Sequence, residues 1–432
     1  MKISVPAFSL VVLVGASGAG KSTFAGRHFA ATEVVSSDRA RGWVADDETD
    51  QSITPDAFDL VHAVVDKRLK HRRLTVVDAT NVKLAARKPL VALAKRWHAP
   101  LVAIVLDLPE QVAVERNAQR PDRAFGAGPV RVQRADLDAS WSGLEAEGFR
   151  RLYRLRSVAE VDDASIVRVP SPVDRRELHG PFDIVGDVHG CADELEELLA
   201  LLGYRVAWSG SDVAVVPPPG RTTIFVGDLV DRGPRSPDVL RIVHRMVATG
   251  AALAVVGNHD DKLKRHLSGK HVNPTHGFAA TLEQLSVEPA AFGGRMRAWL
   301  SSLPSHFVLD DGRLIVAHAG LREDLHGRAS GAVKAFAMYG ETTGERDEFG
   351  LPVRLDWAAN YAGSARVVYG HTPVLEPVWV NDTLCIDTGC CFGGRLTALR
   401  YPEMTLASVP AREVYEEPRR PFRDLRQPEA AA

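Results

Sequence analysis

The chain has 432 residues, 45% of them hydrophobic, a length that favours two or three domains over one small fold. A formal net charge of -2 and a pI near 6.7 exclude a broadly basic, non-specific nucleic-acid binder, so any polynucleotide site must be local. The four cysteines, Cys191, Cys385, Cys390 and Cys391, form no CxxC pair, which argues against a disulfide framework or zinc knuckle and for a reducing, cytoplasmic setting. No uncharged apolar stretch reaches the length of a membrane span.

Met1 to Gly15 carries one Lys and a short apolar run without a small-residue cleavage site, so it reads as a buried strand. From Leu10 to Val169, strand-like runs (Leu10 to Val14, Glu33 to Ser36, Leu74 to Asp78, Leu101 to Asp107) alternate with amphipathic helical stretches. That rhythm predicts a parallel α/β sheet. Between its first strand and a helix-compatible Phe24 to Ala31 lies Gly15-Ala16-Ser17-Gly18-Ala19-Gly20-Lys21-Ser22-Thr23, the P-loop pattern in the context it requires. Its glycines let backbone N–H groups approach phosphate oxygens, Lys21 reaches the β- and γ-phosphates of ATP, and the Ser22 hydroxyl can ligate Mg2+.

The next strand ends in Ser36-Ser37-Asp38-Arg39-Ala40-Arg41. A carboxylate facing the phosphate loop suits Asp38 as general base for an attacking hydroxyl, with Arg41 on an acceptor phosphate; the bland reading is a helix N-cap Asp with a surface Arg. Asp78 ends a third strand as a Walker-B acid would, or as a simple strand-end cap. Arg116 and Arg120 fall four apart on one helical face, either a cationic lid over the triphosphate or a solvated face. Asp136 to Ser140 fits a loose DxDx(S/T) pattern but lacks the preceding apolar strand, so Asp136 and Asp138 read as solvated helix residues.

Breaker residues from Pro170 to Pro181 place a domain boundary. The expected organisation is residues 1–170 as a P-loop domain, 171–180 as linker, 181–410 as a second α/β domain, and 411–432, rich in Glu, Arg, Pro and Ala, as a tail or linker. In the second domain, five strand-like runs each lead into a polar motif: Asp187-Val-His189-Gly, Gly-Asp228-Leu-Val-Asp231-Arg232-Gly, Gly-Asn258-His259-Asp260, His318-Ala-Gly and Gly370-His371-Thr. Manganese and similar divalent ions accept mixed carboxylate, amide-oxygen and imidazole ligands, and one carboxylate can bridge two ions about 3.5 to 4 Å apart. The pattern therefore predicts a two-metal phosphoesterase, in which His259 protonates the leaving alkoxide, Asp231 or Asp260 orients its ring, and Arg232 grips a non-bridging oxygen. Isolated histidines such as His62, His98, His271 and His276 read as core or surface residues.

Taken together, GASGAGKST with SSDRAR, then GDVHG, GDLVDRG, GNHD, HAG and GHT, resemble bacterial polynucleotide kinase-phosphatases over almost the whole chain. Connecting text such as DDETDQS, VVDATN, GETTGERDEFGLPVR and IDTGCCFGGRLTALRYPE is similar as well. The resemblance implies a kinase domain followed by a binuclear metallophosphoesterase, a two-sheet sandwich flanked by helices. It implies ATP-dependent phosphorylation of 5'-OH ends of RNA, or DNA, and metal-dependent removal of 2'-phosphate, 3'-phosphate and 2',3'-cyclic phosphate ends. By motif, it places Lys21 and Ser22 on ATP and magnesium, Asp38 as base, Arg41 on the acceptor nucleotide and Arg116 with Arg120 in the lid. It gives Asp187, His189 and Asp228 to one metal, and Asp228, Asn258, His318 and His371 to the other. Arg232 and His259 serve substrate and leaving group, and Asp387 is either an extra active-site acid or a structural strand-end acid.

Fuller members of that family carry a ligase module with a KxDG signature, and no Lys here is followed two residues later by Asp-Gly. Sealing is thus not expected of these residues, and three alternatives stand open: a separate RNA ligase polypeptide, a fragment of a longer protein, or an independent healing enzyme. The competing reading is a signalling phosphatase acting on phosphoproteins or dinucleotides, with the P-loop domain regulatory. Gly370-His371-Thr372-Pro373, which lacks the second His of many nucleotide diesterases, keeps that branch open.

Overall fold

The computed structural model describes residues 1–119 and 127–426. The chain forms two compact units, one made of Met1–Ser171 with Arg328–Ser330, the other of the remaining described chain from Pro172. Among the described residues no helix is long and apolar enough to cross a membrane.

In the first unit, five strands run in the order Val34–Ser36, Thr75–Asp78, Leu10–Val14, Leu101–Leu106 and Arg151–Leu155, every pairing parallel. All five residues of the central Leu10–Val14 are buried, as a strand covered on both faces requires. Its alternation divides them: Leu10, Val12 and Val14 join Val61, Val65 and Leu69 of the helix Thr54–Lys70, while Val11 and Leu13 meet Phe24 and Ala25 of the helix Lys21–His28. Each such side chain contributes about 1.5–3 kcal/mol of burial, so the strand that ends at the P-loop is firmly fixed. A separate pair of parallel strands, Lys2–Pro6 and Ser165–Val169, accompanies the sheet. Asp136 and Asp138 lie on the helix Ala127–Trp141, away from any strand end.

The second unit is a sandwich of two six-stranded sheets. One holds Phe182–Val185, Thr222–Phe225, Ala252–Ala254, Asp387–Thr388, Arg395–Tyr401 and Thr405–Pro410; the other holds His306–Leu309, Leu314–Ala317, Arg366–Tyr369, Trp379–Val380, Thr383–Cys385 and Asp174–Arg175. Side chains from both, including Ile184, Ile224, Val226, Phe307, Val316, Val368 and Leu399, form one buried layer between them. Helices such as Ala192–Leu201 and Ser236–Ala248 cover the outer face of the first sheet through Leu195, Leu198, Val239 and Val243.

Two segments differ from the expected organisation. Asp174 and Arg175 pair in parallel with Val308 and Leu309, so residues 171–180 supply a sheet edge as well as a connection. Residues 411–426, expected as a tail or linker, are tied to the second unit: Ala411 N donates to Gly394 O at 2.9 Å, Tyr415 Oη to Glu194 Oε1 at 2.8 Å, and Arg423 N to Pro373 O at 3.0 Å. Composition suggested a solvated segment, but its few aromatic residues are anchors.

Candidate metal centre and phosphate-loop site

The five motifs of the second unit occupy turns that follow its strands, and the turns are sharp. His189, Asp228, Asp231, Arg232 and His371 all have φ between 46° and 75°, the left-handed region that non-glycine residues avoid. Close approach also demands glycine, most directly against two of the candidate ligands. A Cβ on Gly370 would meet Asp187 Oδ1 at 1.9 Å, and one on Gly257 would meet Asp228 Oδ1 at 2.2 Å.

These turns bring two groups together around one carboxylate. His189, Asp228 and His259 offer ligand atoms within 4.8 Å of one another, and so do Asp228, His318 and His371. Asp228 Oδ2 lies 3.6 Å from His189 Nε2 and 3.4 Å from His318 Nε2. His318 Nε2 is also 2.9 Å from Asn258 Oδ1 and 3.0 Å from His371 Nδ1. The Nδ1 atoms of His189 and His318 donate to the carbonyls of Val230 and Val226, which turns each Nε2 toward the centre. Asp187 belongs to neither tight group, but its Oδ2 accepts from His371 N at 3.0 Å. Its Oδ1 is buried with no hydrogen-bond partner.

His259 Nδ1 donates to Asp231 Oδ2 at 2.6 Å, and Thr281 holds the other oxygen of Asp231 at 2.7 Å. Of the two acids expected to orient this ring, Asp231 is in place. Asp260 is not: its carboxylate accepts from the backbone amides of Gly257 and Leu229, which fixes the turn instead. Arg232 spans the group, with Nη1 2.8 Å from His189 Nε2 and Nη2 3.4 Å from His259 Nε2.

In the first unit, one cavity of about 320 Å³ is lined by Ser17, Gly18, Gly20, Lys21 and Ser22 together with Asp38, Arg41 and Asp78. Gly20 at φ 88° turns the chain into the helix, and Lys21 Nζ donates to the carbonyls of Gly15 and Ala16 at 2.8 and 2.9 Å. Gly15 stands at the loop's start; a Cβ on Ala19 is already in place 3.4 Å from a Cβ built on Gly15. Thr23 lies on the loop's other flank, where it lines a smaller cavity with Gly18, Gly20 and Arg116. Arg116 Nη1 would be 3.3 Å from a Cβ on Gly20, so Arg116 stands beside the phosphate loop; Arg120 lies outside the described residues.

The bland reading of Asp38 does not describe what is found. Ser36 is the N-cap of the helix Ser37–Ala45, accepting from the amides of Asp38 and Arg39, and Arg41 is buried. Arg41 Nη2 donates to Asp38 Oδ1 at 2.9 Å, and its Nε donates to Glu48 O at 3.2 Å. Gln133, which no motif marked, accepts from Ser17 N through Oε1 at 2.7 Å and lines the same cavity with Gln51, Thr54 and Phe58.

Residues 10–146 match the family model described as AAA domain, and residues 180–375 match that of calcineurin-like phosphoesterase. Over 246 residues, 56% of this chain, the sequence is 48% identical to 99% of a bis(5'-nucleosyl)-tetraphosphatase PrpE [asymmetrical] from Anoxybacillus flavithermus. The chain belongs to the calcineurin-like phosphoesterases. A PrpE of the same description from Geobacillus sp. is 46% identical over 53% of this chain and 94% of its own length, and one from Bacillus subtilis is 45% identical over 55% and 98%.

Membership implies divalent metal ions, and the phosphoesterase's own electrostatics fit them. Burial, reinforced by the charges of Asp387 and Asp228, pushes the Asp187 carboxyl well above its ordinary range. Burial pushes Asp387 up to about 6 and Asp260 up to about 7. Burial would raise Asp228 too, but His318 and His259 beside it outweigh that and hold it well below the usual range. Buried carboxylates that repel one another, an unpartnered Asp187 oxygen and inward-turned imidazole nitrogens form a donor set that a carboxylate-bridged pair of divalent cations would satisfy.

Two residues of the phosphoesterase site escaped sequence reasoning. Arg354, on the strand Pro352–Arg354, puts Nη2 2.6 Å from His371 Nε2, and burial with Arg420 nearby pulls its pKa down to about 10. His276, expected as a core or surface histidine, instead lines a cavity of about 280 Å³ with Asp228, Arg232, Asn258, His259 and His371. Neither sits in a ligand-like motif; only the overall similarity of GETTGERDEFGLPVR marked the stretch ending at Arg354.

Proposed function

We propose that the chain processes broken polynucleotide ends, as bacterial polynucleotide kinase-phosphatases do: the first unit phosphorylates a 5'-OH with ATP and Mg2+, and the second removes 2'-, 3'- and 2',3'-cyclic phosphates with Mn2+ or a similar ion. The observation that carries the reading is the single cavity in which Asp38 and Arg41 face the P-loop, because a regulatory ATPase needs neither an acceptor base nor an acceptor cation.

In the kinase step the 5'-oxygen bonds to the γ-phosphorus, the bridging bond to ADP breaks, and the 5'-hydroxyl proton passes to the Asp38 carboxylate. Arg41, which is hydrogen-bonded to Asp38, takes the phosphate of the acceptor nucleotide in this reading. Lys21 and Arg116 bring positive charge to the transferring group, and Ser22 offers a hydroxyl to Mg2+.

In the phosphatase step, water oxygen bonds to phosphorus and the ester oxygen departs. Asp187, His189, Asp228, Asn258, His318 and His371 would hold two divalent cations, which would neutralise charge on the phosphoryl oxygens and acidify water. His259 gives its Nε2 proton to the leaving alkoxide, with Asp231 supporting the imidazolium through Nδ1. Arg232, beside His189, and Arg354, beside His371, take non-bridging oxygens in this reading.

A second reading, hydrolysis of a dinucleoside tetraphosphate, is favoured by the names of the relatives that span the phosphoesterase unit. Both are tested by offering an oligoribonucleotide with 5'-OH and 2',3'-cyclic phosphate ends, ATP and Mn2+, and in parallel diadenosine tetraphosphate. Healing of both ends is expected. Unchanged ends together with release of ATP and AMP from the tetraphosphate would replace the first reading by the second.

A further inference from the structure

Residues 411–426 close one side of the phosphoesterase cavity. On one flank the amides of Tyr415 and Glu416 donate to Cys391 O at 3.0 and 3.1 Å, Arg412 N donates to Glu194 Oε1 at 2.9 Å, and Val414 bridges to Phe392. On the other, Leu375 N donates to Arg423 O at 3.0 Å and Arg423 Nη2 donates to Asp356 Oδ2 at 2.7 Å. Between these anchors Pro418, Arg419, Arg420, Pro421 and Phe422 line the cavity that holds Asp228, Arg232, Asn258, His259 and His371. Arg420 and Pro421 also line an adjoining cavity of about 320 Å³ that shares Arg354, His371 and Thr372 with the first.

The charge placed here exceeds what one phosphate needs. The scissile group already has Arg232, Arg354 and a donor set for two cations. Arg419 is exposed, and Arg420 is half-buried with Asp347 Oδ2 3.6 Å away. Glu416 partly offsets Arg232, its Oε1 lying 3.9 Å from Nε. Beside the two arginines, Phe422 packs on Phe392 with ring centroids 6.2 Å apart, and the Phe392 ring in turn lies under the Arg232 guanidinium at 4.7 Å. Cations adjoining an aromatic pair are the elements that bind a nucleotide strand: phosphate oxygens on arginine, a base against an aromatic face.

We infer that the strap Pro418–Phe422 is a subsite for the leaving nucleotide, with Arg419 and Arg420 taking the phosphate next to the scissile one and Phe422 offering its ring to a base. The inference rests on the end-processing reading and narrows it. The phosphatase substrate is a strand end that carries a further phosphate, and a phosphoprotein side chain would leave the subsite empty.

The test uses the full chain loaded with Mn2+, comparing wild type with an Arg419→Ala/Arg420→Ala double variant and, to guard against misfolding, Arg419→Gln/Arg420→Gln. Substrates are a 3'-phosphorylated tetranucleotide and p-nitrophenyl phosphate, which has no second phosphate. The ratio of kcat/KM for the tetranucleotide to that for p-nitrophenyl phosphate should fall about tenfold in both variants, through KM. The salt dependence of KM for the tetranucleotide should also weaken, since each strand phosphate contacted by a cation steepens it. An unchanged ratio, or equal losses on both substrates, overturns the strap as a subsite while leaving end processing intact. A tetranucleotide that wild type leaves untouched while it hydrolyses p-nitrophenyl phosphate overturns the end-processing reading itself, and the subsite with it.

Discussion

The two sites are built on opposite principles. The P-loop site presents backbone: amides at a helix start, with Lys21 resting on the loop's own carbonyls at 2.8 and 2.9 Å. The metal centre presents buried side chains, among them Asp187, His189, Asp228, His318 and Asp387, crowded so that burial and the charge of Asp228 raise Asp187 and Asp387, the imidazoles hold Asp228 down, and one Asp187 oxygen has no partner. A site made of backbone is satisfied by its own chain. A site made of buried acids is completed only by cations, so the two should respond differently to mutation and to metal.

The sharpest way to break that contrast is Asp228→Ala, which removes the carboxylate shared by both ligand groups. Manganese-dependent phosphate release should drop to background while transfer from ATP to a 5'-OH end continues; loss of both activities would mean the sites are not independent. Asp38→Ala is the converse, expected to slow 5'-end labelling by about 10²–10⁴-fold and to spare phosphate release. Undiminished labelling would reduce Asp38 to a structural acid. Asp231→Asn, which retains the shape but weakens support for the His259 imidazolium, should lower phosphatase kcat by roughly 10²-fold. A change under twofold would remove Asp231 from the leaving-group argument. Smallest, adding Mn2+ at about a hundred times its Kd to chelator-treated protein should stabilise the second unit by about 2.7 kcal/mol, read as an upward shift of its thermal transition. A shift confined to the first unit would contradict the electrostatic reading of the acids.

How far the sequence carried each site follows from the same contrast. The P-loop, Asp38 and the five ligand motifs are local strings at strand ends, and the apolar runs before them mark the strands to within a residue or two, as Phe182–Val185 and Leu314–Ala317 illustrate. Residues that reach a site from elsewhere leave no such string. Arg354 arrives on a short strand, Gln133 from a helix far along the chain from Ser17, and His276 from a loop, each by tertiary placement alone. Residues 411–426 differ for a related reason: Pro, Glu and Arg dominate their composition, while Tyr415, Phe422, backbone amides and the ion pairs of Arg412 with Asp193 and Arg423 with Asp356 hold them to the second unit. Asp260 shows the reverse case, a motif residue whose buried carboxylate serves the turn and not the neighbouring imidazole.

The left-handed backbone at His189, Asp228, Asp231, Arg232 and His371 has an evolutionary edge. Glycine or asparagine would sit more comfortably at such positions, so part of the chain's folding free energy is spent holding reactive side chains where they are uncomfortable. A laboratory selection for heat resistance alone should therefore drift toward relaxed turns here, yielding sturdier proteins that have lost the metal centre. Any stabilisation campaign on this chain must screen for phosphate release at every round.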